Sequence, residues 1–559
     1  MDRKPVVLEI DLAFGLQSSD PKDPLSAVRS RNVPRLNAII AGLRHGAKDD
    51  HVVAVVVHVA PHASVWQVEE LRPALREFAA SGRKVIAWTE SFGDGGPGTV
   101  GYYLATAADE IWLQPSGALG LLGVGLSVMT VRGALDKIGA EPQIGQRKEF
   151  KTAAEMYTST EISAPNREMT GRMAASITDQ VITATVAARG LGADQVADAI
   201  NAAPLTAQES VDRGLVDRLG YRSDVYRAVR DAFGQGDDHD VRLVFAHRYS
   251  RSATKELTKE AIRRAVRSRH RPIIAVVDVE GAIVTGRGGR QFPGGQSQAG
   301  SDQVVAALHA ATQNDAVRAV VLRVDSPGGS YTGSDAIRAA VLQVKKSGRP
   351  VVASMGALAA SGGYFVSMAA DQIFALPSTL TGSIGVLGGK VVIKEALNKI
   401  GVTREEIGER PATMFSSIRR FDSEEWARYE AWLDQIYDDF THKAAEDRGL
   451  AYETLEPLAH GRVWTGADAQ ERRLVDDLGG LQAALVAACR RVGVELDHVR
   501  VQTFPQVPML SRLRPAESSE SPAAASLPGA PRGLLETVAQ SLGVEPGGVL
   551  TLPWHFDIR

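Results

Sequence analysis

GYYLATAADEIWLQPSGALGLLGVG (Gly101–Gly125) and GYFVSMAADQIFALPSTLTGSIGVLG (Gly363–Gly388) are two versions of one segment in a chain of 559 residues. Both contain the tripeptide AAD, and its aspartates, Asp109 and Asp371, lie 262 positions apart. A long stretch that recurs at a fixed spacing is typical of a duplicated structural unit. The sequence therefore predicts two copies of one domain.

The similarity continues on both sides of this segment. At the same spacing downstream, ALDKIGA at Ala134 matches ALNKIGV at Ala396, and upstream SGRKVIAW at Ser81 matches SGRPVVAS at Ser347 with small insertions. We expect four parts: an N-terminal copy at 1–235, a basic helical linker at 236–271, a C-terminal copy at 272–505, and a Pro/Ala/Ser-rich tail at 506–559. The last residues of this tail, TLPWHFDIR, are a candidate docking segment.

Each copy alternates two kinds of pattern. Short runs rich in Val and Ile, bounded by Gly or Pro, alternate with helical patterns such as VEELRPALREFAASG and SDAIRAAVLQVKKSG. Continuous apolar runs indicate strands that are buried on both faces, as in parallel sheets covered by helices. The expected fold class is α/β, with the α/β domain present twice.

Composition excludes some classes of partner. Lys and Arg number 63 against 66 Asp and Glu, a formal net charge of -3, so the chain as a whole carries no charge bias towards nucleic acid. The basic run Arg248–Arg271 favours a solvated linker helix, with two alternatives: contact with anionic lipid at the inner face of the cell membrane, or contact with a neighbouring subunit. The opening MDRKPVVLEIDLAFG has no signal-peptide pattern, which favours a cytoplasmic protein without a transmembrane anchor.

Differences between the matched positions indicate where chemistry is retained. In the second copy a strand leads into ALAASGGYFVSMAAD, which puts Ser361 at the start of a helix and before two glycines. A serine hydroxyl there lies beside backbone N–H groups that can stabilise an oxyanion. The first copy has Thr99 and Val100 at the positions of Ser361 and Gly362, so Ser361 is the candidate nucleophile.

A second glycine pair follows a buried strand of the second copy. DSPGGS (Asp325–Ser330) contains Gly328 and Gly329, where a substrate backbone can approach closely and find N–H donors. The first copy has APHAS at this point and has lost the glycines.

The general base is predicted to be a lysine of the other copy. Between Pro272 and Phe440 the second copy contains no histidine except His309, which lies in a helical run, so no Ser-His-Asp triad suggests itself. Lys151 lies in the apolar stretch EFKTAAEMYT of the first copy, and burial can remove its proton near neutral pH. Its matched position is Thr413, and the competing candidate Lys148 stands between Arg147 and Glu149.

These motifs resemble those of the long, duplicated form of signal peptide peptidase A, a membrane-associated Ser/Lys peptidase family with a fold like Clp protease and crotonases. DSPGGS, MGALAASGGYFVSMAAD, TGSIGVLG and FKTAAE carry the resemblance, which covers about residues 1–500. It implies that Ser361 is the nucleophile, that Lys151 is the base and that Ser383 of TGSIG holds the lysine, whereas the first copy has Leu121 there. Oxyanion donation falls to Gly362 and to Gly328 or Gly329.

The resemblance also implies partners. Family members form rings, here expected to be a homo-oligomer of tetramer size, that act on extended peptides such as cleaved signal peptides. No cofactor is expected, because a Ser/Lys peptidase needs neither a metal nor a nucleotide; in addition, GVLGGKV lacks the first glycine and the final Ser or Thr of a phosphate-binding loop. Two alternatives stay open: a crotonase-like acyl-CoA enzyme and a non-catalytic, membrane-associated scaffold.

Overall fold

The computed structural model describes residues 4–18, 33–235, 240–252, 271–288, 297–505 and 550–551. These residues form two compact units. The first contains the described residues up to Gly125 and those from Ala174 to Ser252; the second contains Leu126–Met173 and the described residues from 271 onwards. A segment of the N-terminal copy thus belongs to the second compact unit. The copy boundaries, 1–235 and 272–505, rest on sequence similarity and stay a prediction.

The first unit is built on a parallel sheet; helices and strands are numbered along the whole chain. Its strands are β1 (Val6–Asp11), β2 (Val52–His58), β3 (Lys84–Thr89), β4 (Glu110–Leu113), β5 (Ala118–Leu119), β7 (Leu205–Thr206), β8 (Arg218–Leu219) and β9 (Arg242–Phe245). Six of them pair in parallel in the order β8-β4-β3-β2-β1-β9, while β5 and β7 form a separate antiparallel pair.

Helices cover this sheet. They are α1 (Leu36–Gly46), α2 (Val65–Ala80), α3 (Thr99–Ala105), α6 (Ala164–Arg189, of which Ala174 onwards belongs to this unit), α7 (Ala193–Ala202), α8 (Ala207–Asp212), α9 (Arg222–Phe233) and α10 (Ala246–Ser252). A 3-10 turn, Leu12–Phe14, follows β1. Helix α9 buries Val225 and Val229 against Val56 and Trp88 of the sheet, as the alternation of apolar strands and amphipathic helices predicts.

The second unit repeats this topology. Its strands are β6 (Glu141–Gln146), β10 (Ile273–Glu280), β11 (Ala282–Val284), β12 (Gln298–Gly300), β13 (Val317–Ser326), β14 (Gly328–Gly329), β15 (Val351–Ala360), β16 (Gln372–Ala375), β17 (Leu380–Gly382), β18 (Leu387–Val392), β19 (Val463–Thr465), β20 (Asp477–Leu478), β21 (Arg500–Phe504) and β22 (Leu550–Thr551). The order β20-β16-β15-β13-β10-β21 is that of the first unit, strand for strand, and β17 and β19 extend it from β15. The two sheets agree with a tandem duplication.

The second unit has helices on both faces of this sheet and others beside the β6–β18 pair. They are α4 (Arg132–Ile138), α5 (Glu155–Thr158), the start of α6, α11 (Ser301–Gln313), α12 (Tyr331–Lys346), α13 (Gly362–Ser367), α14 (Lys394–Lys399), α15 (Ser423–Arg448), α16 (Tyr452–Ala459), α17 (Gly466–Glu471) and α18 (Leu481–Arg491), with 3-10 turns at Thr152–Ala154, Arg410–Thr413 and Leu496–His498. Ile274 and Val276 pack against α18, whereas Ala275 and Val277 face α11 and α12. Successive strand residues point to opposite faces, so both faces are apolar and buried.

A two-stranded antiparallel sheet joins the two sequence copies within this unit. Strand β6, from the N-terminal copy, pairs with β18 of the C-terminal copy, with Gln146 opposite Leu387 and Glu141 opposite Val392. This pairing continues past Gln146, because the Arg147 N–H donates to the Val386 carbonyl at 2.9 Å. At Arg147, four residues before Lys151, the chain that leaves β6 is therefore still bonded to the C-terminal copy.

Two predicted segments lie mostly outside the described residues. Of the basic linker at 236–271, the structure describes 240–252 and 271; of the tail at 506–559, it describes Leu550–Thr551. In the part of the chain that is described, no helix is both long enough and apolar enough to span a membrane.

Candidate active site

Ser361 occupies a sharp turn between β15 and α13. It is the N-cap of α13 with φ 57° and ψ -115°, and its N–H donates to the Gly382 carbonyl at 2.8 Å. Its side chain is completely buried. A non-glycine residue rarely adopts positive φ, and such strained strand-to-helix turns present a side chain from the end of a sheet.

Gly328 and Gly329 lie beside this turn. A methyl group built on Gly362 would stand 3.1 Å from the Gly328 Cα and 3.1 Å from the Gly329 nitrogen, and 2.7 Å from the Ser334 hydroxyl. Gly362 is the first residue of α13, so its N–H has no acceptor within the helix. The structure thus brings the predicted oxyanion glycines together with Ser361.

Lys151 reaches the same place from the N-terminal copy. Its side chain is 1% exposed, and its Nζ lies 2.9 Å from Ser361 Oγ. The same Nζ lies 3.0 Å from Ser383 Oγ and 3.2 Å from the Ser383 carbonyl oxygen. Within this single chain, the structure therefore places the Ser361 and Ser383 side chains within hydrogen-bond distance of the Lys151 amine.

Burial alone sets the protonation of this amine. It lowers the pKa of Lys151 from 10.5 to about 7, because a charged ammonium loses its hydration inside the protein. The neighbours of Nζ are the two serines, which carry no charge to offset that loss. An amine with this pKa can accept a proton near neutral pH, as a general base must.

The competing lysine has a different environment. Lys148 is 41% exposed and pairs with Glu456, with its Nζ 2.8 Å from Oε1. This hydrogen bond raises the pKa of Lys148 and lowers that of Glu456. His460 joins the same cluster, since its two ring nitrogens lie 3.0 Å from Glu149 Oε1 and 3.0 Å from Glu456 Oε1. Lys148 thus belongs to a charged cluster outside the buried site.

Two glycines that the sequence analysis did not single out enclose Lys151. A methyl group on Gly461 would lie 2.5 Å from the Lys151 Cβ and 2.6 Å from its Cα and nitrogen, and one on Gly385 would lie 3.2 Å from the Lys151 Cδ. The Phe150 N–H donates to the His460 carbonyl at 3.1 Å, and the Gly461 N–H donates to the Ile384 carbonyl at 2.8 Å. The glycines leave just enough room for the lysine backbone and stem.

The repeat itself contained a signal for Gly461. Helix α17 begins after Thr465 and helix α8 after Thr206, and each threonine accepts a hydrogen bond from the N–H three residues later. Aligned on these caps, Gly461 matches Ala202 of the N-terminal copy. Glycine is thus present in the C-terminal copy and absent from the N-terminal copy, as it is for Gly362 and Val100.

Backbone strain is concentrated around Lys151. Among the described residues, five that are not glycine have positive φ: Lys148, Ser361, Ser383, His460 and Arg473. All except Arg473 belong to the site or to the cluster beside it. Strained conformations persist where the surrounding structure enforces them, and they collect at functional sites.

The matched positions of the first unit are occupied differently. The Thr99 hydroxyl donates to the Gly123 carbonyl at 2.9 Å and accepts from the Leu122 N–H at 3.1 Å. Leu121, at the position of Ser383, is completely buried. In the first unit, therefore, Thr99 bonds to the backbone and Leu121 is part of the buried core. Nowhere in the described ranges do three or more His, Cys, Asp or Glu side chains form a group that could hold a metal ion.

An α/β fold with a strained, buried serine that has a lysine amine 2.9 Å from its hydroxyl agrees with one class of enzyme, the serine peptidases. The family model of Peptidase family S49 matches residues 77–235 and 343–495, and the Clp protease model matches residues 292–389. Since the first of these covers more than half of the chain, in two separate regions, the chain belongs to peptidase family S49.

Curated relatives agree with this assignment. Protease 4 of Salmonella typhi is 30% identical over 472 residues, which span 82% of this chain and 72% of the relative. Protease 4 of Haemophilus influenzae is 28% identical, over 86% of this chain and 77% of the relative. Serine protease SPPA, chloroplastic, of Arabidopsis thaliana is 29% identical over 81% of this chain, and the chain spans 65% of that relative's length.

Several predictions from sequence are thereby confirmed. The chain is of the long, duplicated signal peptide peptidase A type, its fold is a duplicated α/β domain related to Clp protease, and its class is that of the serine peptidases.

Proposed function

We propose that this chain is a serine endopeptidase that hydrolyses short, extended peptides, cleaved signal peptides among them, through an acyl-enzyme. The supporting observation is the 2.9 Å separation of Lys151 Nζ from Ser361 Oγ at a completely buried position. Family S49 membership sets the reaction class, and this contact supports the choice of nucleophile and base.

The contacts of Lys151 support a direction of proton transfer. A neutral amine has two hydrogens and one lone pair, and Ser383 offers two acceptors, its hydroxyl and its carbonyl oxygen. If both hydrogens are donated to Ser383, the lone pair is left to accept the proton of Ser361. Ser383 thus orients the base, in the way that the third member orients histidine in a triad.

The reaction then follows in two halves. Lys151 takes the proton of the Ser361 hydroxyl as Oγ attacks the scissile carbonyl, and it returns this proton to the leaving amine. N–H groups around Gly362 and Gly328 or Gly329 donate to the oxyanion. In the second half Lys151 takes a proton from water as the water oxygen attacks the acyl carbonyl, and it passes this proton to Ser361 Oγ as the ester bond breaks, which releases the carboxylic acid product and restores the serine hydroxyl and the neutral amine. No metal or cofactor takes part.

The family resemblance supports two further proposals. The chain assembles as a homo-oligomeric ring, of tetramer size, so that active sites enclosed by the ring exclude folded proteins. It works in the cytoplasm, with peripheral contact to the inner face of the membrane through its basic linker. The mass of the protein in solution tests the ring assembly, and flotation with anionic vesicles tests the membrane contact.

The first test is covalent labelling. We would incubate the full chain with a fluorophosphonate probe and locate the adduct by mass spectrometry, in the native protein and in the variants Ser361→Ala, Lys151→Ala and Lys148→Ala. We expect an adduct on Ser361 that is lost in Ser361→Ala and slowed by about 100-fold or more in Lys151→Ala. Lys148→Ala is the matched control and should label at the native rate.

The other outcomes identify the alternatives. A folded chain that gives no adduct on Ser361 but binds coenzyme A would support a crotonase-like acyl-CoA enzyme. An intact oligomer that gives no adduct and shows no activity that depends on Ser361 would support a non-catalytic scaffold. Equal labelling of the two lysine variants would overturn the role of Lys151 alone.

A further inference from the structure

A small sheet of four strands borders the nucleophile. Its order is β12-β11-β14-β22, and its third strand, β14, consists of Gly328 and Gly329. The Gly329 nitrogen and the Gly328 Cα both lie 3.1 Å from a methyl group built on Gly362, next to Ser361. A peptide strand that pairs with the open edge of β14 would therefore pass beside the serine.

One edge of β14 is already used. Gly329 pairs in parallel with Ile283 of β11, and the Ser330 N–H donates to the Ile283 carbonyl at 2.8 Å. A methyl group on Gly329 would lie 2.0 Å from the Ile283 carbonyl oxygen, and Gly328 and Gly329 have φ of 100° and 150°. The pairing with β11 therefore requires glycine, and it leaves β14 one edge for another strand.

The chain's own C-terminal region occupies that edge. Leu550–Thr551 forms β22 and pairs antiparallel with β14, with Thr551 opposite Gly328 and Leu550 opposite Gly329. Addition of an extended segment to an exposed strand is a common mode of peptide recognition, in which backbone hydrogen bonds supply much of the affinity. The segment Leu550–Thr551 is thus bound in the manner of a peptide.

We propose that β22 is an internal competitor of the substrate, which binds the open edge of β14 and must leave before an extended peptide can pair there. This inference rests on the proposed peptidase function. Because β22 belongs to the same chain as β14, its binding is intramolecular, and its effective concentration can far exceed the concentration of a free peptide. A weakly binding segment can therefore occupy the edge for most of the time and yet be displaced by a good substrate.

The test uses the full chain and two double variants. Leu550→Pro/Thr551→Pro removes both backbone N–H groups of β22, whereas Leu550→Ala/Thr551→Ala keeps them and serves as the matched control. Each protein is treated with a peptidyl phosphonate, which has an extended peptide part, and with a small alkyl fluorophosphonate, which has none. The rate of adduct formation on Ser361 is measured by mass spectrometry.

We expect the proline variant to react about three- to tenfold faster with the peptidyl probe than the native and alanine proteins do, and by a smaller factor with the small probe. A synthetic peptide with the sequence of residues 546–559 should slow the proline variant competitively. A proline variant that reacts with the peptidyl probe at the native rate would overturn the inference while the peptidase proposal stands.

Hydrogen exchange separates this inference from the proposed function. In the native chain we expect a protected amide within Leu550–Thr551, and faster exchange of residues 326–330 in the proline variant than in the alanine variant. These results would support strand docking even if Ser361 failed to label in every protein. That failure of labelling would reject the peptidase proposal. Unprotected amides at both residues in the native chain would overturn the docking.

Discussion

Lys151 is a charged residue type at a position that excludes water. An ammonium group in such a place is costly unless a carboxylate neutralises it, and the groups that contact Nζ here are Ser361 and Ser383. The neutral amine avoids this cost, so burial lowers the pKa of Lys151 from 10.5 to about 7. The same burial that opposes charge thus prepares the lysine to accept a proton.

The pH dependence of acylation follows from this pKa. Below about pH 7 Lys151 is protonated and cannot take the Ser361 proton, so the rate should fall about tenfold per pH unit; above that value it should level off. The measurement is the rate of fluorophosphonate labelling of Ser361 between pH 5 and 9, in buffers of constant ionic strength. Lys148→Ala should keep the inflection near pH 7. A flat profile in the native chain would exclude Lys151 as the titrating base.

At the scale of elements, the turn between α16 and β19 positions Lys151. It contains His460 and Gly461, both in left-handed conformations with φ of 47° and 76°. The His460 carbonyl accepts the Phe150 N–H, and the Gly461 backbone packs directly on that of Lys151. A short turn of the C-terminal copy therefore fixes a residue of the N-terminal copy.

Gly461→Ala tests this positioning. The added methyl would lie 2.6 Å from the Lys151 Cα and nitrogen, so the lysine must shift, and we expect labelling of Ser361 at pH 9 to slow by about 10- to 100-fold. Gly449→Ala is the matched control, because Gly449 also has positive φ, at 59°, but open space around its Cβ position. Both variants should lose about 1 kcal/mol of folding free energy from backbone strain. Equal labelling rates in the two would refute a positioning role for Gly461.

At the scale of the whole molecule, residues 126–173 leave the sequence copy to which they belong and enter the second compact unit. Two ion pairs within that unit attach the end of this segment. Arg172 forms two hydrogen bonds with Asp468, at 2.7 and 3.0 Å, and the Arg462 Nη1 lies 2.8 Å from Glu168 Oε1. The side chains of Asp468 and Glu168 are 3% and 61% exposed, so the two pairs differ in burial.

This difference predicts unequal effects on stability. Arg172→Ala leaves the buried Asp468 carboxylate without its guanidinium, and we expect the free energy of unfolding to fall by about 2–3 kcal/mol. Glu168→Ala should change it by less than about 1 kcal/mol, because an exposed pair is screened by water and Arg462 keeps its stacking on Phe150 and Trp464. Urea denaturation of both variants provides the comparison. Equal losses would show that the burial of Asp468 does not control the strength of the attachment.

Part of the candidate site could be predicted from the sequence, because the two copies of the duplicated domain can be compared position by position. Ser361 against Thr99 and Gly362 against Val100 indicated the copy with the candidate nucleophile, and Lys151 against Thr413 indicated the copy with the candidate base. Gly461 and Gly385 were not found, since their importance lies in the space they leave for Lys151. That space depends on contacts between residues far apart in the chain, which local patterns do not report.

The sequence by itself determined the duplication and the α/β class, and it nominated the candidate reactive side chains, because strand and helix periodicity and residue chemistry are local properties. Only the tertiary structure decided that Lys151 lies against Ser361, 210 positions away, and that Leu550–Thr551 lies on the edge of Gly328–Gly329. Such contacts follow from the packing and strand pairing of many residues at once. Burial, and with it the pKa of Lys151, exists only when that packing is complete.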